Sequence, residues 1–450
     1  MQNPQFNRRH FLRLTGLVSA GVVVAACAPA TMPAPGADSG AAAPAAETAQ
    51  LVFWAPQHFI VEQNEFFTES LKLAAEANAF EVEVQLFPWG DYNQKQNAAI
   101  EANTLPDALL GVSVSQQYAM GILSDVSDLF AEIGESGGGF YEPDIAEVTI
   151  EGKQVAIPFH NEPQFMYYRQ DILEPAGFTA PLTSLDEFVE AAQAVTDPGA
   201  RIWGFGNTYG LVPDGNNFTQ LLIFAFGGFL QDADGNIAIN SPETVEALNF
   251  SSRLLNEYEI MPSGVTGWDD TGNNKAFLSG QLAMTYNSGS ILNNMRETDP
   301  GWLQSTVIGT LPGAPGGAPK TFVGGSAAGI MVSSPHPDLA RLLIKNTMSP
   351  ERYPGNLTSA NGMFYPTLQG YEDLPIYTED PWNKQALATL PYAYVAFAPG
   401  DPAAWIDEVN GKFLYAEMAS RIAVEGWDTQ EAIDDFVRQA EEIKAKYAAA

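Results

Sequence analysis

Between residues 51 and 110 the hydrophobic period changes repeatedly, and no other feature restricts the fold as much. Leu51-Val52-Phe53-Trp54 is an unbroken apolar run, as a strand buried on both faces requires. Residues 62–77 place Phe67, Leu71, Ala74 and Ala75 on one stripe, the spacing of a helix. Val82, Val84 and Leu86 then alternate as a strand. Residues 92–103 return to helical spacing with Ala99 and Ile100 inward, and residues 106–110 read as a third strand. Strand–helix–strand–helix–strand order predicts right-handed crossovers and a parallel sheet covered on both faces, hence an α/β fold. Ligands of such sheets sit beyond the carboxyl ends of the strands. That rule brings residues 55–59, with His58, and residues 88–92, with Trp89, to the rim of a cleft.

Residues 148–178 read as two extended runs around a polar loop. Val155-Ala156-Ile157 is a strand ended by Pro158, Phe159-His160-Asn161-Glu162 is the loop, and Met166-Tyr167-Tyr168 is the second run. A short helix closes on Ala176-Gly177. Such a pattern suits a crossing between domains, where extended backbone carries a hinge rotation and the loop touches a ligand. It fits a strand–loop–strand inside one domain equally well. Farther along, Thr183-Ser184-Leu185-Asp186-Glu187 is a capping box, and an apolar helix in residues 221–230 stops at Gly227-Gly228. Residues 232–236 imitate the start of a calcium loop, but Ile237 holds the position that requires glycine, so a hairpin turn is expected. Residues 282–286 form a buried strand, after which Asn287-Ser288-Gly289 presents backbone donors at a helix start.

The same segments carry a family resemblance. Gly152-Lys153, Ile157-Pro158, Tyr167-Tyr168-Arg169-Gln170-Asp171 and Glu174-Pro175-Ala176-Gly177 together resemble a block of the family 1 extracellular solute-binding proteins, the carbohydrate-type receptors of ABC importers. Residues 274–290, with Phe277 and Gly280, resemble a second block. Leu311-Pro312-Gly313 with Gly324-Gly325, residues 361–366, and Gly426-Trp427-Asp428-Thr429 with Glu431-Ala432 resemble three more, in order across the chain. The resemblance implies an α/β fold of two lobes, periplasmic-binding-protein-like (type II), joined by about three hinge crossings. Residues 51–160 and 325–362 would form the N-terminal lobe, and residues 161–324 and 363–450 the C-terminal lobe. It further implies a mono- or oligosaccharide held between the lobes and delivered to the transmembrane subunits of an ABC permease. Sugar-binding members place an acceptor carboxylate at the position of Glu162. Many carry a stacking tryptophan after the second block, where Ser290 and Ile291 stand here.

The first fifty residues read as processing signal and tether. Asn7-Arg8-Arg9-His10-Phe11-Leu12-Arg13 resembles a twin-arginine export motif, and the apolar residues 14–24 are too few to span a bilayer. Val24-Ala25-Ala26-Cys27 resembles a lipobox, with residues 1–26 as signal peptide and Cys27 as the lipidated N-terminus. Residues 27–50 are a tether rich in Ala and Pro, so the folded body is expected outside the cytoplasmic membrane, held by lipid. Residues 1–26 carry three arginines and no acids, so processing takes the net charge from −33 to −36. Such a charge argues against nucleic acid and anionic lipid as partners and favours neutral or cationic ligands.

No catalytic signature assembles, and neither a cofactor nor a metal is implied. The third glycine of a dinucleotide loop is misplaced after Gly204-Phe205-Gly206, and Ala328 holds the second glycine position of a nucleophile elbow. One cysteine and four histidines exclude the usual zinc spacings. The aromatic candidates for ligand contact are Trp54, Trp89, Trp203, Trp268, Tyr286, Trp382 and Trp405, which can stack on the C–H faces of a sugar. His58, His160, Asn161, Glu162, Asp269 and Asn287 can meet its hydroxyls, and Gly325 completes the set. The same mixture suits a polyamine through cation–π contacts, and a glycerol-phosphate-like solute or an anchored glycoside hydrolase stays open beside it. The chain is expected to be a monomer. Cys27→Ser should release the protein from membranes on fractionation, whereas unchanged retention would contradict lipid anchoring.

Overall fold

The alternation of residues 51–110 produces what its spacing requires. In the computed structural model, which describes residues 49–58 and 60–448, β1 (Gln50–Gln57) runs parallel to both β2 (Glu81–Pro88) and β3 (Ala108–Leu110). The crossovers are the helices Val61–Ala77 and Trp89–Ala102. The second begins earlier than expected, directly after Pro88, with Asp91 in its first turn where the helix dipole favours an acid. The export signal, Cys27 and most of the tether lie outside the described residues, as do Phe59 and the Trp89 side chain. Among the described residues no helix is long and apolar enough to cross a membrane.

The hairpin β4 (Thr149–Ile150) and β5 (Lys153–Gln154) leads into β6 (Ile157–Arg169). β6 corrects one expectation: the strand, loop and second run of the sequence reading are a single strand of 13 residues. Pro158 does not end it, because the ladder carries a register shift there and a residue without a donor is tolerated at a bulge. The remaining strands are β7 (Trp203–Gly206), β8 (Leu282–Ser288), β9 (Thr306–Gly309), β10 (Thr321–Ile330) and β11 (Ala393–Tyr394). The main sheet has the order β2-β1-β3-β10-β6-β8-β7, with β11 on β10 and β9 on β6.

β6 changes partners halfway along. Residues from Ile157 to Pro163 pair with β10, while Gln164–Tyr168 pair with β8 and Met166–Arg169 with β9, all antiparallel. β10 does the same, meeting β11 at Thr321 and β3 at Ile330. A third link closes beside them, where Asn161 and Tyr365 exchange backbone hydrogen bonds of 2.8 Å.

Two large apolar cores flank these strands. Tyr167 and Tyr168 are both fully buried, and the strand pleat sends them to opposite sides, Tyr167 into one core and Tyr168 into the other. Burying an apolar side chain of this size contributes about 1.5–3 kcal/mol. The core of Tyr167 gathers Leu51, Phe53, Phe67 and Leu71 with Phe364, Tyr365 and Tyr377, and continues to Phe277 and Ile308. The core of Tyr168 gathers Phe188, Phe205 and Leu221 with Tyr415 and Phe436. The expected boundary after residue 362 therefore coincides with no change of core. The helix ends follow the sequence signals: Ser184 Oγ accepts from Glu187 N at 3.1 Å, although the Glu187 carboxylate turns back to Thr183 N, at 2.8 Å.

Gly325 sits opposite Asn161 in the β10–β6 ladder. A Cβ there would lie 2.6 Å from the His160 carbonyl oxygen, a backbone atom of the neighbouring strand. Gly325→Ala should destabilise the fold by about 1–3 kcal/mol, read as a lower urea midpoint. An unchanged midpoint would mean that the strands separate freely at this point.

Candidate functional site

The carboxyl ends of β1 and β3, the middle of β6 and the carboxyl end of β8 meet at the partner change, so the site is built from these segments. His58 leaves β1 with its backbone held at both ends by Asn64: its N–H donates to Asn64 Oδ1 at 2.9 Å, and Asn64 Nδ2 donates to its carbonyl at 2.8 Å. The His58 ring stands edge-on to Phe364 at 4.7 Å and to His160 at 5.5 Å. Burial pulls its pKa down to about 4, so it is neutral at physiological pH. His160 stacks flat on Phe364, with ring centroids 3.7 Å apart.

His160 and Glu162 are two residues apart on β6 and so share one face. His160 Nε2 lies 3.0 Å from Glu162 Oε1, and the Glu162 side chain keeps 21% of its surface exposed. Burial pushes the Glu162 carboxyl up, but the His160 hydrogen bond and the two imidazoles outweigh it and hold the group below the usual range. The result is a partly exposed carboxylate acceptor, braced by a histidine that is itself braced by an aromatic ring. Asn161 faces the other way, donating to Asp144 Oδ2 at 3.1 Å and to the Pro366 carbonyl at 3.2 Å.

At the end of β8, Asn287 Nδ2 donates to Asp214 Oδ2 at 2.7 Å, and Asn273 Nδ2 donates to the same oxygen at 3.0 Å. Asp214 N donates to Asp270 Oδ1 at 3.1 Å. Burial, then the charge of Asp270, pushes the Asp214 carboxyl up to about 8. Asp214, Asp270 and Asn287 line a cavity of about 420 Å³ together with Ile60, Ser288, Ser290, Asn293 and Met363. A second cavity, of about 330 Å³, is lined by Ser113 beyond β3, Asn217, Gln220, Gly324, Gly325 and Asn410. Asp407 and Glu147 also border it, and burial raises them to about 6 and about 7. Asp407 Oδ2 accepts from Gln116 N at 3.0 Å, tying the helix Ala404–Gly411 to the helix Val114–Ala119. A larger cavity, about 890 Å³, lies between residues 185–190, 224–258 and 314–320, away from these strand ends.

Most of the expected aromatic contacts are occupied by packing. Trp54 is buried against Phe87 at 5.1 Å, and Trp405 is buried under Lys444. Tyr286 is buried, with its hydroxyl accepting from Phe322 N at 3.0 Å. Trp382 donates from Nε1 to the Thr306 carbonyl at 3.0 Å, and Trp203 packs on the core of Tyr167. Trp268 packs against both cores, and Asp269 sits in an exposed turn capping Thr271. Among the described residues no tryptophan lines either cavity. The sequence reading missed Asp214, Asp270, Asn293, Asn217 and Asn410, for which only Asp214, just inside a helix begun by Pro213, carried a local signal.

Comparison with known proteins agrees with this architecture. The family described as "Bacterial extracellular solute-binding protein" matches residues 70–385. A "Probable ABC transporter-binding protein" of Deinococcus radiodurans is 27% identical over 206 residues, 44% of this chain and 48% of that protein. The match thus spans about half of that relative's length. An "Arabinooligosaccharide-binding protein" of Halalkalibacterium halodurans is 24% identical over 350 residues, 74% of each chain. Among solved structures, an ABC transporter solute-binding protein from Thermotoga lettingae, bound with alpha-D-tagatose, superposes with a TM-score of 0.76 at 21% identity, covering 88% of this chain and 100% of that one.

Removing the ring that braces Glu162 should let burial act unopposed. In His160→Ala the Glu162 carboxyl should titrate higher than in the parent, followed by carboxyl-carbon NMR. An unshifted midpoint would show that His160 does not hold the charge.

Proposed function

This chain belongs to the bacterial extracellular solute-binding proteins, and we propose that it is the saccharide receptor of an ABC importer, capturing a mono- or oligosaccharide between two lobes and presenting it to the permease. The observation that carries the reading is Glu162: a braced, partly exposed carboxylate in the strand shared by both halves, whose ladder partner Gly324 lines one cavity rich in amides and hydroxyls, while Ser288, paired with the nearby Gln164, lines another. Sugar hydroxyls donate to such a carboxylate, and the amides of Asn217 and Asn293 supply further partners. The tagatose and arabinooligosaccharide of the relatives' names support the same ligand class.

In this reading, residues 51–160 and 325–386 form the first lobe, and residues 161–324 and 394–450 the second. The last boundary falls between Ala386 and Tyr394, because Ala386 shares the core of Tyr167 whereas Tyr394 shares that of Tyr168. Rotation about β6 and β10 opens and closes the gap. The mature chain acts as a monomer, exported and held by lipid at Cys27 on the outer side of the cytoplasmic membrane, and returns its ligand chemically unaltered.

A thermal-shift panel of sugars, polyamines and glycerophosphates should show stabilisation by saccharides, since a ligand that binds only the folded state raises the melting temperature. Glu162→Ala should weaken saccharide affinity by about tenfold or more, the loss of a hydrogen bond to a charged group, while the unliganded melting curve stays nearly unchanged. Equal affinity in both proteins would remove Glu162 from the site.

A further inference from the structure

Gln116 belongs to the first lobe but donates its hydrogen bonds to the second. Its helix, Val114–Ala119, is rooted in the first lobe, where Val114 shares a third core with Trp54, Tyr92 and Leu109. Gln117 fastens it further, with Nε2 donating to Gln96 Oε1 at 2.8 Å. From Gln116 the backbone N–H donates to Asp407 Oδ2 at 3.0 Å, and Nε2 donates to the Tyr447 hydroxyl at 3.1 Å. Asp407 lies on the helix Ala404–Gly411 and Tyr447 on the helix Thr429–Ala448. Both helices bury apolar residues, Ile406 and Val409 from one, Phe436 and Ile443 from the other, in the core of Tyr168. That core shares no buried residue with the third one.

The second lobe itself prepares the acceptor. The Tyr447 hydroxyl donates to Glu408 Oε2 at 2.9 Å, and Glu408 is fixed by Lys446 at 2.7 Å and Lys412 at 3.2 Å. With its proton engaged by a carboxylate, the phenol oxygen turns a lone pair outward and accepts more strongly than an isolated hydroxyl. The two bonds from Gln116 differ in what they add. Burial lifts the Asp407 carboxyl to about 6, so the N–H of Gln116 offsets a desolvation cost that the charge itself brings. The bond to Tyr447 joins two neutral groups and has no charge to desolvate.

The cavity of about 330 Å³ lies beside this contact. Ser113 and Ser115 line it from the first lobe, Asp407 and Asn410 from the second, and residues 322–325 of β10 border it at the hinge. Gln116 lines neither this cavity nor the one beyond β8. Resting on the two-lobed receptor reading, we propose that Gln116 is a positioning residue: without touching the solute, it clasps the lobes together, raises the closed fraction with or without ligand, and slows the release of any saccharide. A bond present only in the closed form acts on opening, so it changes koff and leaves kon alone.

The test is pulsed electron resonance on the full mature chain, with spin labels on the helices Trp89–Ala102 and Pro242–Asn256 and Cys27 replaced. The parent is compared with Gln116→Ala and with Tyr447→Phe, which keeps the ring that packs on the core of Tyr168. Without ligand, each variant should lower the closed-to-open ratio by about threefold to tenfold, the scale of one neutral hydrogen bond. The double variant should lose no more than either single one, because the same bond is missing in all three. In stopped-flow measurements with maltose and with arabinotriose, release should quicken by one common factor and association should keep its rate. Melting curves should match the parent, since Gln116 belongs to neither core. Should one variant melt early, the other decides. Unliganded distances that stay at the parent's values in both variants, or a parent with no closed population, would overturn the proposal and leave the receptor reading standing. Distances that shift in the variants of a chain that binds no saccharide would support the clasp and remove the receptor reading.

Discussion

Everything in this molecule is arranged about the change of partners along β6. Six residues of one strand, from Ile157 to Pro163 around the register shift at Phe159, pair with β10 toward the β1–β3 end of the sheet, and the next six pair with β8 and β9. Pro163 stands at the change, a residue that has no backbone donor to give either side. β10 makes a parallel exchange one strand away, and Gly325 lets the two backbones lie close enough to pair. Because the carboxyl ends of β1 and β8 both arrive here, segments far apart in sequence meet along this strand, His58 among them beside His160 and Glu162.

The placement of charge follows from the same convergence. A carboxylate in the middle of a buried strand would ordinarily take a proton, and His160 prevents it for Glu162. Asp214 and Glu147 have no such brace, and burial drives them up. The site therefore mixes an ionised acceptor with carboxyls that titrate near neutrality. The core of Tyr167 continues past the crossing to Phe277 and Ile308, which on the proposed reading makes that side the fixed edge of the hinge.

The elements set by local spacing were legible from sequence. Strands β1 and β2, the helix between them, the Ser184 cap and the Gly227 stop follow from period, capping residue or backbone freedom, all short-range causes. β6 was not legible as one strand, because two prolines and the polar and aromatic residues between them look like a loop until the bulge at Phe159 in its pairing with β10 is known. Where the tryptophans pack was not legible for a related reason. Their composition suits a sugar, but whether a ring faces a core or a cavity is decided by residues far away, as for Trp54 against Phe87. Asp214 and Asp270 are 56 residues apart, and nothing local announces their meeting.

The central claim is that two halves joined through β6 and β10 close upon a saccharide. The most direct test is the distance between spin labels placed on cysteines introduced in the helices Trp89–Ala102 and Pro242–Asn256, with Cys27 removed, measured by pulsed electron resonance without and with a saccharide that binds. The account predicts a shorter, narrower distance distribution at saturation. An identical distribution with the site filled would contradict it.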